Sequence, residues 1–152
     1  MKSDRSKVSQ KAVSYHLEGY NCAQSVLLAM FENWNGKNEL IPKVATAFGG
    51  GIGRSGSVCG ALTGGVIFIG AKYGTNNSSA EERAKAYDLA NRFYSQFKTR
   101  NGSVLCRELI GYDLSNPEEM EKARKANVFH EKCSAFVESA VEILLEISEE
   151  QQ

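Results

Sequence analysis

Four cysteines are the residues with the clearest capacity for chemistry: Cys22, Cys59, Cys106 and Cys133. Each lies close to the predicted start of a helix; Cys22, for example, directly follows Asn21, a favoured N-cap residue. Unpaired backbone N–H groups and the helix dipole favour an anion at such positions, so a thiol there should lose its proton more easily. Because the thiolate is both the nucleophile and the metal ligand, these positions indicate redox or metal chemistry. The alternative is that the cysteines are small apolar side chains that pack between helices.

Cys59 also lies at the end of a glycine-rich loop. Five glycines precede it within residues 49–56, and glycine alone adopts left-handed backbone angles without steric cost. An uncharged segment, 58–71, carries the cysteine near its start and is predicted to form a helix buried on all sides. A cysteine between such a loop and the first turn of a buried helix should have an activated thiol. We therefore predict that Cys59 is the most reactive of the four cysteines.

The glycine-rich loop is itself a candidate for binding an anionic group or cofactor at Gly53, Arg54 and Ser55. Backbone N–H groups and a helix N-terminus converge there. Residues 51–56 match the letters of the G-x-G-x-x-G dinucleotide motif, but that motif needs a preceding strand, and a helical segment precedes this one. The alternative is that the glycines only permit a tight, buried crossing. The sequence identifies neither a cofactor nor a metal, because the cysteines lack the closely spaced ligand pairs of zinc sites.

The periodicity predicts an all-α fold, a compact multi-helix bundle around the buried, glycine-rich helix. Apolar residues recur at three- and four-residue spacing along several segments, and no segment alternates with the period of a strand. Capping signals support helix starts after Asn21, after Ser78 or Ser79, and after Asn116, which precedes a proline. The helical spacing of apolar residues is interrupted at 127–130, where we expect a kink or a new helix.

Within the central helix, Leu62, Val66 and Ile69 are predicted to face the core, whereas Gly60 and Gly64, one turn apart, should let another helix cross closely. An aromatic stripe in a later helix is also predicted to lie in the core. Its members are Tyr87, Phe93, Tyr94 and Phe97. Large side chains at helical spacing are more often core than a platform for a cofactor.

Length and composition are typical of one globular helical domain, here residues 1–152, with 42% hydrophobic residues. The 18 Lys and Arg residues balance 18 Asp and Glu residues, so no broad basic surface for nucleic acid is predicted. The N-terminal residues contain no apolar run typical of a secretory signal, and the uncharged segment is too short to cross a membrane. We expect a cytoplasmic protein whose cysteines are mostly reduced.

Five motifs along the chain resemble those of the C_GCAxxG_C_C family, small bacterial and archaeal proteins described as redox-active. The motifs are Gly19-Tyr20-Asn21-Cys22-Ala23, Gly49-Gly50-Gly51-Ile52-Gly53, Cys59-Gly60-Ala61-Leu62-Thr63-Gly64, Cys106-Arg107-Glu108-Leu109-Ile110-Gly111, and Cys133 ahead of Phe136-Val137. The resemblance runs from Ser14 to Leu145, and each of the family's four cysteine positions has a counterpart here. It implies a thiol-based or electron-transfer role and treats the four cysteines as one set.

Three functions of different classes remain open. In the first, Cys59 attacks a substrate and a second cysteine resolves the intermediate to give a reversible disulfide. The preferred pair is Cys22 with Cys59. Cys106 and Cys133 then form a second pair or complete a four-sulfur site. In the second, all four thiolates hold a metal or an iron–sulfur cluster. In the third, the protein is a non-catalytic helical binding module. Whether it is an enzyme stays open, as do a redox partner protein and homo-oligomerisation.

Overall fold

The computed structural model describes residues 2–152, with side chains described from Asp4 onward. Within this range the fold is all-α, as the sequence predicts, and Val58 and Leu105 form an isolated bridge. The helices are α1 (Lys2–Leu17), α2 (Cys22–Trp34), a 3₁₀ helix (Lys43–Phe48), α3 (Gly60–Tyr73), α4 (Ala80–Asn101), α5 (Cys106–Ile110), α6 (Pro117–Lys125), α7 (Val128–Glu131) and α8 (Cys133–Glu150). Among the described residues, none of these helices combines the length and the apolar character needed to cross a membrane.

The main core lies where α2, α3, α4 and α8 pack together, and α1 covers α8 and α2. Its fully buried side chains include Leu27 of α2, Phe68 of α3, Phe93 of α4 and Leu144 of α8. Burial of such a side chain stabilises the fold by roughly 1.5–3 kcal/mol relative to leaving it exposed. The four helices are thereby held as one packed unit, and three of them begin at or next to a cysteine.

Glycines let α3 approach α2 at backbone distance. A Cβ on Gly64 would lie 2.4 Å from the carbonyl oxygen of Ala23, and a Cβ on Gly60 would lie 3.2 Å from the Cβ of Cys22. A side chain at position 64 therefore fits only if one of the two backbones moves. The predicted close crossing at Gly60 and Gly64 is confirmed, and the helix that crosses there is α2.

Two predictions about helix faces are wrong in part. Val66 was expected to face the core but is 40% exposed, because α3 packs against its neighbours on one side and leaves another side uncovered. In α4, Phe93 and Phe97 are fully buried as predicted, whereas Tyr87 is 69% and Tyr94 41% exposed. The aromatic residues of α4 therefore lie on two adjacent faces, and only one of these faces belongs to the core.

Local capping signals set several of the helix starts. The Asn21 side chain accepts the backbone N–H of Gln24, and the Gln24 side chain accepts the backbone N–H of Asn21, which completes a capping box. Ser79 caps α4, and Asn116 caps α6 ahead of Pro117. All three caps are predicted from sequence because the contacts that make them span only two or three residues.

A second, smaller cluster of buried side chains lies beside the main core. It comes from the segments after α4 and comprises Cys106, Ile110, Leu114, Ala123, Val128 and Cys133. Asn127, in the left-handed conformation with φ 57°, separates α6 from the short α7, which is the break expected at 127–130. Cys22 packs against both clusters and therefore lies at the boundary between them.

Candidate functional site

The four cysteines lie at the starts of four helices that meet in one region of the molecule. Cys22, Cys106 and Cys133 are the first residues of α2, α5 and α8, and Cys59 is the N-cap residue of α3. All four line one cavity of about 710 Å³. Both structural expectations, that the cysteines lie at helix starts and that they converge, are therefore confirmed.

The cavity lies beside the second cluster, and its walls differ in character. One wall consists of the glycine loop, residues 49–54, with the start of α2. The other wall is apolar and is formed by side chains that follow α4; these include Leu109, Ile110, Leu114, Met120, Phe129 and Phe136. The thiols thus face a space that is large enough for a small molecule and is lined mainly by backbone and apolar groups.

Cys22 and Cys133 form the first pair of thiols. The two side chains shift each other's pKa: Cys133 raises the pKa of Cys22 well above the ordinary value, and Cys22 lowers the pKa of Cys133. Burial raises the pKa of Cys22 further, and the positive charge of Lys132 contributes to the lowering at Cys133. Cys22 therefore keeps its proton, and Cys133 is the sulfur of this pair that ionises first.

Cys59 and Cys106 form a second pair, which is positioned by the backbone. The N–H of Cys59 donates to the carbonyl of Val104 at 2.8 Å, and the N–H of Cys106 donates to the carbonyl of Ser57 at 2.6 Å. These bonds flank the bridge and place the two cysteines diagonally across it, one on either side, a relation in which Cα atoms are usually about 7–8 Å apart. That separation is at or beyond the reach of an unstrained disulfide.

The pKa values of the second pair argue against Cys59 as the activated thiol that the sequence predicts. Burial raises the pKa of Cys59 to about 12, although the N–H groups of Ala61 and Leu62 act in the opposite direction. Burial also raises the pKa of Cys106 to about 11. Desolvation therefore outweighs the helix start at both positions, and the lowered pKa belongs to Cys133.

The glycine loop closes one side of the cavity in an unusual conformation. Residues 50–54 all have φ between 56° and 69°, including the non-glycine residues Ile52 and Arg54. A Cβ on Gly51 would lie 2.7 Å from the Cβ of Cys106, so a larger residue there would force the loop away from the thiol. Non-glycine residues persist in such strained conformations only where the surrounding structure holds them, often at functional sites.

The three loop residues predicted to bind an anion or cofactor have different positions relative to the cavity. Gly53 and Arg54 line it, whereas Ser55 lies outside its lining. The carbonyl of Ser55 instead accepts a hydrogen bond from Nη2 of Arg107 at 3.1 Å. The binding role of Gly53 and Arg54 stays a prediction.

Sequence reasoning missed two residues that hold the walls of the cavity together. Arg107 donates from Nε to the carbonyl of Gly56 at 3.1 Å, which ties the loop to α5. The two ring nitrogens of His16 lie 3.1 Å from the carbonyl oxygen of Tyr20 and 2.8 Å from that of Phe129, which ties the end of α1 to α7. The sequence carries no signal for these contacts, because each joins residues that only the tertiary structure brings together.

The four-cysteine metal alternative finds no preformed ligand set. Within residues 2–152, no three His, Cys, Asp or Glu side chains lie close enough together to hold one metal ion. The sulfurs instead share the cavity as two pairs: Cys22 with Cys133, and Cys59 with Cys106 across the bridge. A metal or cluster bound by all four would require these pairs to move toward a common centre.

Comparison with known proteins places the chain in a family. It matches the family model "Putative redox-active protein (C_GCAxxG_C_C)" over residues 20–147. It is also 30% identical, over 156 aligned residues that cover 96% of each chain, to an "Uncharacterized protein" of Archaeoglobus fulgidus. No solved structure matches the chain. The chain therefore belongs to the C_GCAxxG_C_C family.

Proposed function

We propose that this member of the C_GCAxxG_C_C family is a thiol redox protein in which Cys22 and Cys133 form a reversible disulfide. The observation that carries the proposal is that Cys22 packs against the cluster that contains Cys133, at one cavity, where the two thiols shift each other's pKa values in opposite directions. Cys133, with the lowered pKa, supplies the attacking thiolate, since the thiolate is the reactive form. Cys22, which holds its proton until the second step, resolves the intermediate.

The reaction is a two-electron exchange with a disulfide substrate, RSSR. The Cys133 thiolate attacks one substrate sulfur, the RS–SR bond breaks, and the released RS⁻ takes up a proton from water. Cys22 then loses its proton and attacks Sγ of Cys133, which expels the second RS⁻ and forms the protein disulfide. The protein dithiol has lost two electrons and two protons, and the substrate has become two RSH. An excess of a small thiol drives the same steps in reverse.

Cys59 and Cys106 act in this proposal as a reserve pair. Their raised pKa values keep them protonated at neutral pH, so they do not compete with Cys133 as nucleophiles. Cys22 and Cys59 line the same cavity. The Cys22–Cys59 pairing preferred from the sequence would then form only by a later exchange, after the Cys22–Cys133 disulfide.

The proposal places the protein in a reducing compartment such as the cytoplasm. All four cysteines are free thiols, and the proposed cycle starts from the reduced form. In the cytoplasm, glutathione and thioredoxin systems keep thiols reduced. A disulfide formed there would be transient, as a redox cycle requires.

Disulfide mapping tests the proposal. Reduced protein is treated with excess bis(2-hydroxyethyl) disulfide, quenched in acid, alkylated, digested and analysed by mass spectrometry. We expect one internal disulfide, between Cys22 and Cys133, with Cys59 and Cys106 alkylated. The Cys22→Ser variant should stop at a mixed disulfide on Cys133, because the resolving thiol is missing.

Three other outcomes would overturn the proposal. A first disulfide between Cys22 and Cys59 would restore the pairing preferred from the sequence. Stoichiometric metal or a visible iron–sulfur absorption in the purified protein, lost when the cysteines are alkylated, would favour the metal alternative. Four thiols that remain unreacted in the folded protein would favour the binding module.

A further inference from the structure

Three of the four thiols are buried and Cys22 is half-buried, which restricts what can reach them. Cys59 is 5%, Cys133 6% and Cys106 8% exposed. Thiol–disulfide exchange requires one sulfur to approach another directly, so its rate depends on access to the attacking thiol. A folded partner protein presents its disulfide on a surface too broad to enter this cavity, whereas the volume of about 710 Å³ is within the range of small-molecule sites.

Among the residues that the structure describes, and apart from the thiols, the cavity is lined by basic side chains and by no acidic ones. The chain contains 18 Asp and Glu residues, yet none of them lines the cavity within the described part of the chain. The titratable nitrogen groups at the lining are those of Arg54, His16 and His130. The starts of α2, α3 and α8 also point their positive dipole ends toward this region. A ligand of negative charge is therefore favoured over a cation.

Arg54 is the group placed to bind that charge. It is exposed and also lines the cavity, so it stands where the cavity meets solvent. Residue 54 is in the left-handed conformation, and its Cα and Cγ lie 2.8 Å from where a Cβ on Gly50 would be. The Arg54 side chain therefore fits in this position because residue 50 is glycine. Arg5, Arg92 and Arg100, by contrast, are engaged with glutamates in the same structure.

We infer that the substrate of the Cys22–Cys133 pair is a small disulfide bearing carboxylate groups, which enters the cavity and is held by Arg54 at the mouth. The inference rests on the proposed function and adds to it the substrate class and a binding residue. The guanidinium binds one carboxylate with two parallel hydrogen bonds, and the apolar wall receives the carbon chain. The substrate sulfurs then lie inside, where Cys133 attacks one of them and the products are two carboxylate-bearing thiols.

Three disulfides that differ in charge test this inference. They are 3,3′-dithiodipropionate (anionic), bis(2-hydroxyethyl) disulfide (neutral) and cystamine (cationic). The rate at which each oxidises the reduced protein is divided by its rate with 2-mercaptoethanol, which removes differences in intrinsic reactivity. We expect the wild-type protein to prefer the anionic over the cationic disulfide by about tenfold at low salt, the size of one charge-assisted contact. The preference should shrink as salt is added.

Matched variants separate the charge of Arg54 from its structural role. Arg54→Gln should lose most of the preference for the anionic over the cationic disulfide. Arg54→Lys should retain the preference, because it keeps the charge on the same backbone. Arg83→Gln removes an arginine that does not line the cavity and should behave like wild type.

The outcomes distinguish the inference from the proposed function beneath it. Equal normalised rates for the three disulfides, each with a Cys22–Cys133 disulfide as product, would overturn the substrate class and leave the redox function standing. A preference that survives in Arg54→Gln would overturn the role of Arg54. Absence of any internal disulfide with all three compounds would overturn the redox function itself.

Discussion

The two cysteine pairs of this protein share a location but differ in how they are held. Cys22 and Cys133 meet through their side chains, and their pKa values move apart. Cys59 and Cys106 are fixed through their backbones on either side of a bridge, and both pKa values rise. All four lie at helix starts, so the helix start alone does not decide which thiol is reactive.

The magnitudes explain this difference. A charge at a helix terminus is stabilised by at most about 2 kcal/mol, equivalent to roughly 1.5 pKa units. Burial of an ionisable group can shift its pKa by about 3–5 units. Desolvation therefore prevails at Cys59 and Cys106, where the surroundings offer little to a thiolate. It is overcome at Cys133, where the Cys22 side chain and the charge of Lys132 lower the pKa.

The largest expected effect is on the rate of the first reaction step, which should depend on Cys133 and not on Cys59. At pH 7 a thiol of pKa about 12 is ionised about a thousandfold less than one whose pKa is at or below 9. Its thiolate is a stronger nucleophile, but this raises its reaction rate by only about 20-fold. Cys133→Ser should therefore slow reaction with bis(2-hydroxyethyl) disulfide by at least about 50-fold, whereas Cys59→Ser should change the first step less than about twofold. Stopped-flow or quenched thiol counting measures both rates. A slow Cys59→Ser variant beside a fast Cys133→Ser variant would reverse the roles of the pairs.

The next effect concerns the crossing that sets the start of α2 against α3. Gly64→Ala places a Cβ at 2.4 Å from the Ala23 carbonyl oxygen and should destabilise the protein by about 1–3 kcal/mol. For a chain of this size that lowers the melting temperature by roughly 2–4 °C per kcal/mol. Gly70→Ala, in the same helix with nothing within 4 Å of its added Cβ, should instead stabilise by about 0.5–1 kcal/mol. Equal melting temperatures for the two variants would show that the crossing is looser than the structure indicates.

The third effect is a pH dependence of stability caused by the raised pKa of Cys59. Above about pH 9 the unfolded chain releases this proton, since an unperturbed thiol has a pKa of about 8.5, while the folded protein keeps it up to a pKa of about 12. The folded state then binds more protons, so the free energy of unfolding falls with pH by about 1.4 kcal/mol per unit for this thiol. Urea unfolding between pH 8 and 10.5 measures this dependence. In Cys59→Ala the free energy of unfolding should fall less steeply with pH than in the wild type, by about 1.4 kcal/mol per pH unit. Identical slopes would mean that burial does not hold the proton on Cys59.

The smallest effect tests whether the local cap of α2 positions Cys22. Asn21→Ala removes the capping box and should destabilise the protein by about 1 kcal/mol. Ser79→Ala removes the cap of α4 and should have a similar effect on stability. Only Asn21→Ala should also slow closure of the Cys22–Cys133 disulfide, because Ser79 lies outside the lining of the cavity. If both variants closed the disulfide at the wild-type rate, the cap would serve stability alone.

The features that sequence predicts here are those set by neighbours along the chain. The Asn21 capping box, the Asn116-Pro117 helix start and the small residues at 60 and 64 each have a local signal, and each is found. The uncovered face of α3 at Val66 has no such signal, because residues 58–71 include no charged residue that would mark an exposed side. Likewise the Cys22–Cys133 contact joins residues far apart in sequence, so local pattern could place each cysteine at a helix start but could not pair them.

Site-resolved alkylation as a function of pH tests the central claim most directly. Reduced protein is pulsed with iodoacetamide across pH 5–10, quenched and digested, and the labelled fraction of each cysteine is read by mass spectrometry. Cys133 should label at the lowest pH, below the unperturbed thiol pKa of about 8.5, and Cys22→Ser should move its labelling to higher pH. Cys59 and Cys106 should remain unlabelled across this range. Labelling of Cys59 ahead of Cys133 would contradict the account.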